Sequence, residues 1–188
     1  MNERMEPYLK HLPQILSPQL LDEICGKTGP WTPSLVETEE NIFVMDNRIR
    51  RGDRCFIRDR SIIEKIWVRI KQFLPVSLSN QYYLIGPNTQ MTLLQYKAGD
   101  FFKMHYDGDY MNDKGEEALM TVQMYITSSN DLRGGGTTFY KDDGETIAYQ
   151  FQCNPGDAIV FDHEWLHQGD TVTEGSKMAL RLDIMYAK

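Results

Sequence analysis

From about residue 81 onward this chain is written in short runs of alternating apolar and polar residues, a pattern that confines it to folds built from sheets. The strictest run is LMTVQMYIT, residues 119–127. Successive side chains of a strand point to opposite faces. Met120, Val122, Met124 and Ile126 therefore share one face, and Thr121, Gln123, Tyr125 and Thr127 the other. QMTLLQY, TTFY, TIAYQFQ, DAIVF and KMALRLDIMY read as further strands, separated by the turn sequences DLRGGG, KDDGE and NPGD. About seven or eight short strands preceded by helices predict a mainly β protein with flanking helices (α+β): a jelly-roll sandwich, or double-stranded β-helix, buttressed on one side.

The first 75 residues read as mainly helical. SPQLLDEICGK supplies Ser17 as N-cap, Pro18 at the first helical position and Gly26 near the end. In RSIIEKIWVRIKQFLP, Ser61 and Glu64 have capping-box spacing. Ile63, Ile66, Trp67, Ile70 and Phe73 or Leu74 then form one apolar stripe before Pro75 stops the helix. The expectation is one domain over residues 1–188, with 1–80 as mainly helical support and 81–188 as the jelly-roll core. A chain of 188 residues that is 41% hydrophobic buries a core of its own. The net charge of -7 argues against a nucleic-acid partner. No stretch approaches the roughly 18 apolar residues of a membrane span, so no membrane partner is expected. Cys25, Cys55 and Cys153 are too scattered for a disulfide framework or a zinc-cysteine site, which favours a reducing, cytoplasmic setting.

FFKMHYDGDY, residues 101–110, holds His105 two residues before Asp107. Residues i and i+2 of a strand face the same way, so this pair presents an imidazole and a carboxylate to one point. A third ligand would complete a two-histidine, one-carboxylate triad of the kind that holds non-haem Fe(II) and leaves positions open. FDHEWLHQGD offers two candidates, His163 and His167. An isolated H-x-D is a weak signal, and either later histidine read singly is an ordinary packed residue.

HYD, GGGTTF, NPGDAIVF and HQGDTVTEGSK, taken in order, resemble the signature of Fe(II)/2-oxoglutarate dioxygenases of the prolyl 4-hydroxylase type. The resemblance covers roughly residues 90 to 186, and MDNRIRRGDRCFIRDRSIIEKIWVRIKQFLP also looks like the segment preceding the core in small members. It implies His105, Asp107 and His167 as metal ligands, with His163 structural or behind the ligands. It implies Lys177, ten residues after His167, as the cation for the distal carboxylate of 2-oxoglutarate, because a buried carboxylate must be paired. Arg181 shares a strand face with Lys177 and is the alternative anchor. Tyr96 stands where members place a phenol on the same cosubstrate. The implied cofactors are Fe(II), 2-oxoglutarate, O2 and, as in relatives, ascorbate. The implied reaction is hydroxylation of an unactivated C–H bond, and a carboxylate ligand at Asp107 leaves no room for the halide of a halogenating site.

Prolyl hydroxylase resemblance and the polar segment GDYMNDKGEEA, read as a lid, favour a prolyl residue in a peptide or protein as substrate. A free amino acid or small metabolite is the alternative. A barrel that binds metal and 2-oxoglutarate without turnover, and one that uses zinc or manganese for other chemistry, are further readings. Arg54 reads as a surface salt-bridge residue or one facing the substrate opening, and Trp165 as a packing residue. The RGD at 51–53 reads as chance. Tyr140 replaces a proline common after GGxTxF, which bears on the shape of the pocket mouth.

Overall fold

The computed structural model describes residues 7–39, 42–79 and 81–188. In chain order its strands begin with β1 (Leu9–Leu12), β2 (Thr32–Pro33), β3 (Val36–Glu39), β4 (Ile42–Val44), β5 (Arg50–Arg51), β6 (Asp53–Ile57), β7 (Ser77–Leu78), β8 (Tyr82–Lys97) and β9 (Phe101–His105). They continue with β10 (Glu117–Ser128), β11 (Arg133–Gly134), β12 (Thr137–Tyr140), β13 (Ile147–Phe151), β14 (Ala158–Asp162), β15 (Leu166–Gly169), β16 (Val172–Glu174) and β17 (Ser176–Ala187). The helices are α1 (Pro18–Cys25) and α2 (Arg60–Ile70).

Two antiparallel sheets face each other. The major sheet runs β1-β14-β10-β17-β8-β6-β2, with β7 also on β8, and the minor sheet runs β13-β12-β15-β9-β5. This is the expected jelly roll. The strands read from alternation all appear, and β10 shows why its pattern was so strict. Met120, Val122, Met124 and Ile126 enter one core with Leu20, Ile24, Ile62, Ile66 and Ile70 of the two helices. Tyr125, on the opposite face, packs between the sheets with Phe139, Ile159, Phe161, Trp165 and Ala179. Each large aliphatic side chain so buried contributes about 1.5–3 kcal/mol, and the helices thereby pack on the face of the major sheet opposite Tyr125.

The N-terminal expectation needs correcting. Helix is confined to α1, α2 and a short 3-10 turn over Lys71–Phe73, while much of residues 9–57 forms short strands. β1 extends the major sheet beside β14, and β6 extends it beside β8. Strands this short carry no readable alternation; they form because the longer strands offer unpaired backbone groups along their edges. α1 begins as expected, with the Leu20 N–H donating to Ser17 Oγ. α2 does not. Its N-cap is Asp59, whose Oδ1 accepts from the Ile62 N–H at 3.2 Å, and Ser61 lies inside the helix.

Between β5 and β6 the chain crosses from the minor to the major sheet at Gly52, where φ is +137° and a Cβ would stand 2.9 Å from the Gln95 carbonyl oxygen. The RGD is thus a sheet crossover that needs its glycine.

Candidate metal centre and cleft

His167 on β15 is the register partner of His105 on β9, which brings two imidazoles side by side between the sheets. Their Nε2 atoms lie 4.0 and 3.8 Å from Asp107 Oδ1, and all three potential ligand atoms lie within 4.8 Å of one another. The tautomers are set from behind. His105 Nδ1–H donates to the Lys103 carbonyl at 2.7 Å and His167 Nδ1–H to that of Trp165 at 3.0 Å, leaving both Nε2 lone pairs turned inward. Phe102 stacks on His105 at 3.4 Å between centroids, and Phe139 and Phe161 flank His167. Two nitrogen lone pairs and one carboxylate oxygen, converging on one point, are a donor set that fits Fe(II).

Asp107 is not in a strand. β9 ends at His105, so the i, i+2 strand geometry does not orient this carboxylate. Thr121 Oγ1 donates to Asp107 Oδ2 at 2.6 Å, and Arg181 Nη1 lies 3.0 Å from Oδ1. Thr121 in turn accepts from His163 Nε2 at 3.0 Å. His163 therefore touches the aspartate only through Thr121 and is not a member of the converging trio. Thr121 was not singled out from sequence; its signal was its place on the polar face of β10.

Electrostatics follow from burial. Desolvation, then the neighbouring His167, pushes the His105 imidazole down to about 3. His167 and His163 are lowered too, chiefly by burial. Burial works to raise the Asp107 carboxyl, yet Arg181 first and the imidazoles after it outweigh that and hold it well below the usual carboxylate range. The trio thus presents neutral imidazoles and an ionised carboxylate, the protonation states a metal requires.

Lys177 lies behind the trio, 3% exposed, and burial lowers its pKa. It donates to the Gly135 carbonyl and stands 4.9 Å above the Tyr96 ring, which is itself buried. Among the described residues no carboxylate lies within ion-pair distance of it. Arg181, the other candidate anchor, is already engaged by Asp107 and by Asp183 at 2.7 Å. A cavity of about 40 Å³ joins Lys177, Tyr96 and Thr137 to the trio.

On the outer side a cleft of about 760 Å³ opens onto His105 and Asp107. One wall is β6, with Arg54 and Phe56, and Arg58 just past its end; the other includes Val36, Glu37 and Phe43 of the β3–β4 hairpin. Arg54 lines this cleft and makes no salt bridge among the described residues, where the surface-pair reading finds no partner. Of residues 108–118, read as a mobile lid, 110–118 form a pinned turn. The Ala118 N–H donates to the Tyr110 carbonyl, and the Asn112 side chain bonds Lys114, Glu116 and the Glu116 carboxylate. Trp165 packs against Phe139 and donates to the Pro7 carbonyl, and Tyr140 lines neither space.

Residues 91–182 match the family model of the 2OG-Fe(II) oxygenase superfamily. Two PKHD-type hydroxylases, of Idiomarina loihiensis and Rippkaea orientalis, are each 24% identical, over 48% and 61% of this chain. The alignments span only 39% and 53% of those relatives. A viral collagen prolyl hydroxylase from Paramecium Bursaria Chlorella virus-1, solved with 2OG, superposes with a TM-score of 0.64 at 19% identity, covering 96% of this chain and 97% of its own. A Pseudomonas putida prolyl-4-hydroxylase gives 0.66 at 16%, covering 94% and 91%. A Trichoplax adhaerens prolyl hydroxylase, in complex with a hypoxia inducible factor peptide fragment, gives 0.63 at 18%, covering 94% and 82%. At these identities the likeness is one of fold.

Proposed function

We propose that this chain, whose residues 91–182 match the 2OG-Fe(II) oxygenase superfamily in a fold like that of the prolyl hydroxylases, hydroxylates a prolyl residue within a peptide or protein. The observation that carries the reading is the converging His105–Asp107–His167 trio at the floor of an open cleft, with an unpaired buried lysine behind it. The cleft, of about 760 Å³, exposes Phe43 and Phe56 along its walls. A fold neighbour holds a peptide fragment, which supports the same reading.

In this proposal His105 and His167 would bind the metal through Nε2 and Asp107 through Oδ1. Lys177 would pair with the distal carboxylate of 2-oxoglutarate, beside the Tyr96 ring and the Thr137 hydroxyl. The cavity is narrow, so its lining would have to open to admit the cosubstrate. Bound Fe(II), with 2-oxoglutarate and O2, supplies the oxidising power that replaces C–H by C–OH while 2-oxoglutarate becomes succinate and CO2. The chain's own work is placement. Thr121 and Arg181 aim Asp107, the two backbone carbonyls fix the imidazole tautomers, and Phe102, Phe139 and Phe161 keep water from the inner face.

The test compares proline-containing peptides with free proline and other amino acids, reading succinate release and a mass gain of one oxygen. Peptide hydroxylation that His105→Ala abolishes is the expected result. Hydroxylation of a free amino acid with peptides inert would replace the peptide reading by the small-metabolite one.

A further inference from the structure

The wall of the cleft carries charge that none of the described residues neutralises. Among the described residues Arg54 is the one arginine whose side chain makes neither a hydrogen bond nor an ion pair. Arg48, Arg51, Arg58, Arg60, Arg69, Arg133 and Arg181 all find an oxygen. Arg50 reaches only the Leu35 carbonyl, at 3.4 Å. The Nε atoms of both Arg50 and Arg54 are shut off from solvent without a partner. A buried guanidinium N–H left unpaired costs free energy that the fold recovers only when an acceptor arrives.

The pair is also built. The Arg50 guanidinium lies 4.2 Å over the Phe102 ring, and Phe102 is the ring stacked on His105. The Arg54 guanidinium lies 5.1 Å over Phe56. Arg54, Leu94 and Ala179 are successive register partners across β6, β8 and β17, on the face that also presents Lys177 and Arg181. Arg54 thus stands two strand spacings, about 10 Å, from the strand whose Arg181 touches Asp107. Burial first, and the charge of Arg50 after it, lowers the Arg54 pKa, as two unneutralised cations held together require. The acids of the cleft do not answer them. Asp107 and Asp183 are taken by Arg181, Glu37 has a partner of its own, and Asp109, the fourth acid of the lining, forms no ion pair with either arginine among the described residues.

We propose that Arg54 and Arg50 form an anion subsite of the cleft, which binds a carboxylate carried by the substrate close to the carbon that is oxidised. On the peptide reading above, on which this rests, that group is a glutamate or aspartate side chain flanking the target residue. A guanidinium takes a carboxylate through two parallel N–H···O bonds, and the apolar rings beneath keep that geometry desolvated. In a chain of net charge -7 this local pair selects acidic segments that the protein as a whole repels.

The experiment titrates proline peptides into the full chain loaded with Mn(II) and 2-oxoglutarate, following heat. In each peptide one Glu within two residues of the proline is exchanged for Gln. The exchange is expected to weaken binding about tenfold at one position in the unaltered protein and less than twofold in Arg54→Gln, with Arg54→Lys in between. Free glutamate and aspartate form a second arm. If they bind with the same dependence on Arg54 while every peptide is silent, the carboxylate subsite stands and the peptide reading falls. A Glu-to-Gln effect that survives unchanged in both Arg54 variants overturns the proposal, and so does a protein indifferent to charge in every probe.

Discussion

On the proposed function, single residues divide the site into ligands, their supports and an anchor. His105→Ala, Asp107→Ala and His167→Ala should each remove stoichiometric Mn(II) binding, read by equilibrium dialysis, and all turnover. His163→Ala should keep the metal with affinity about 10–100-fold weaker, because its only route to the site runs through the Thr121 hydroxyl. A His163 variant that binds no metal beside a His167 variant that does would reverse the assignment. The two cations separate in the same way. Lys177 is buried and lacks an acid, so Lys177→Ala should raise the KM for 2-oxoglutarate about 100-fold or more, on the order of 3–5 kcal/mol for one partner of a buried pair. Arg181 already holds Asp107 and Asp183, so Arg181→Gln should show mainly as weaker metal retention, with a smaller change in that KM. Equal effects of both on the cosubstrate would make them a shared clamp.

At the scale of elements, the informative positions are those where helices and strands begin or change sheet. Asp59 caps α2 by accepting from the Ile62 N–H, so Asp59→Ala should cost about 1 kcal/mol in urea unfolding. Ser61→Ala should stay within about 0.5 kcal/mol, since Ser61 is not the cap. Equal losses would restore the capping-box reading. Gly52→Ala is a sharper test of the crossover between the sheets. The positive φ alone costs about 1–3 kcal/mol for a residue with a side chain, and the new methyl meets the Gln95 carbonyl and the Tyr96 ring. Because Tyr96 stands beside Lys177, this variant should also weaken 2-oxoglutarate binding, whereas Gly29→Ala, in open space, should change neither.

For the whole molecule, burying three imidazoles between two sheets makes the metal-free protein sensitive to acid. An unfolded imidazole takes a proton near pH 6.5, while His105 in the fold resists protonation down to about 3 and His163 and His167 are lowered as well. Between those limits the unfolded chain binds more protons, so stability is full above about pH 6.5 and is lost as pH falls below it. The Tm of metal-free protein should therefore drop steadily from pH 7 to pH 4.5, and His163→Asn should shallow that slope; a flat Tm over the range would contradict the buried neutral state. The sequence by itself determined the sheets, the two faces of β10, the cap of α1 and the identity of the trio's members. Alternation is carried by covalent geometry within one strand, and the H-x-D and H-x-G spacings are carried by the order of strands. Only the tertiary structure decided that β1, β2, β5 and β6 join the two sheets as short strands, that Asp59 caps α2, that residues 110–118 are tied down, and that Arg181 serves Asp107. Each of these depends on what lies across a sheet or on an edge. A partner there is set by register between strands far apart in sequence, and no local period records it.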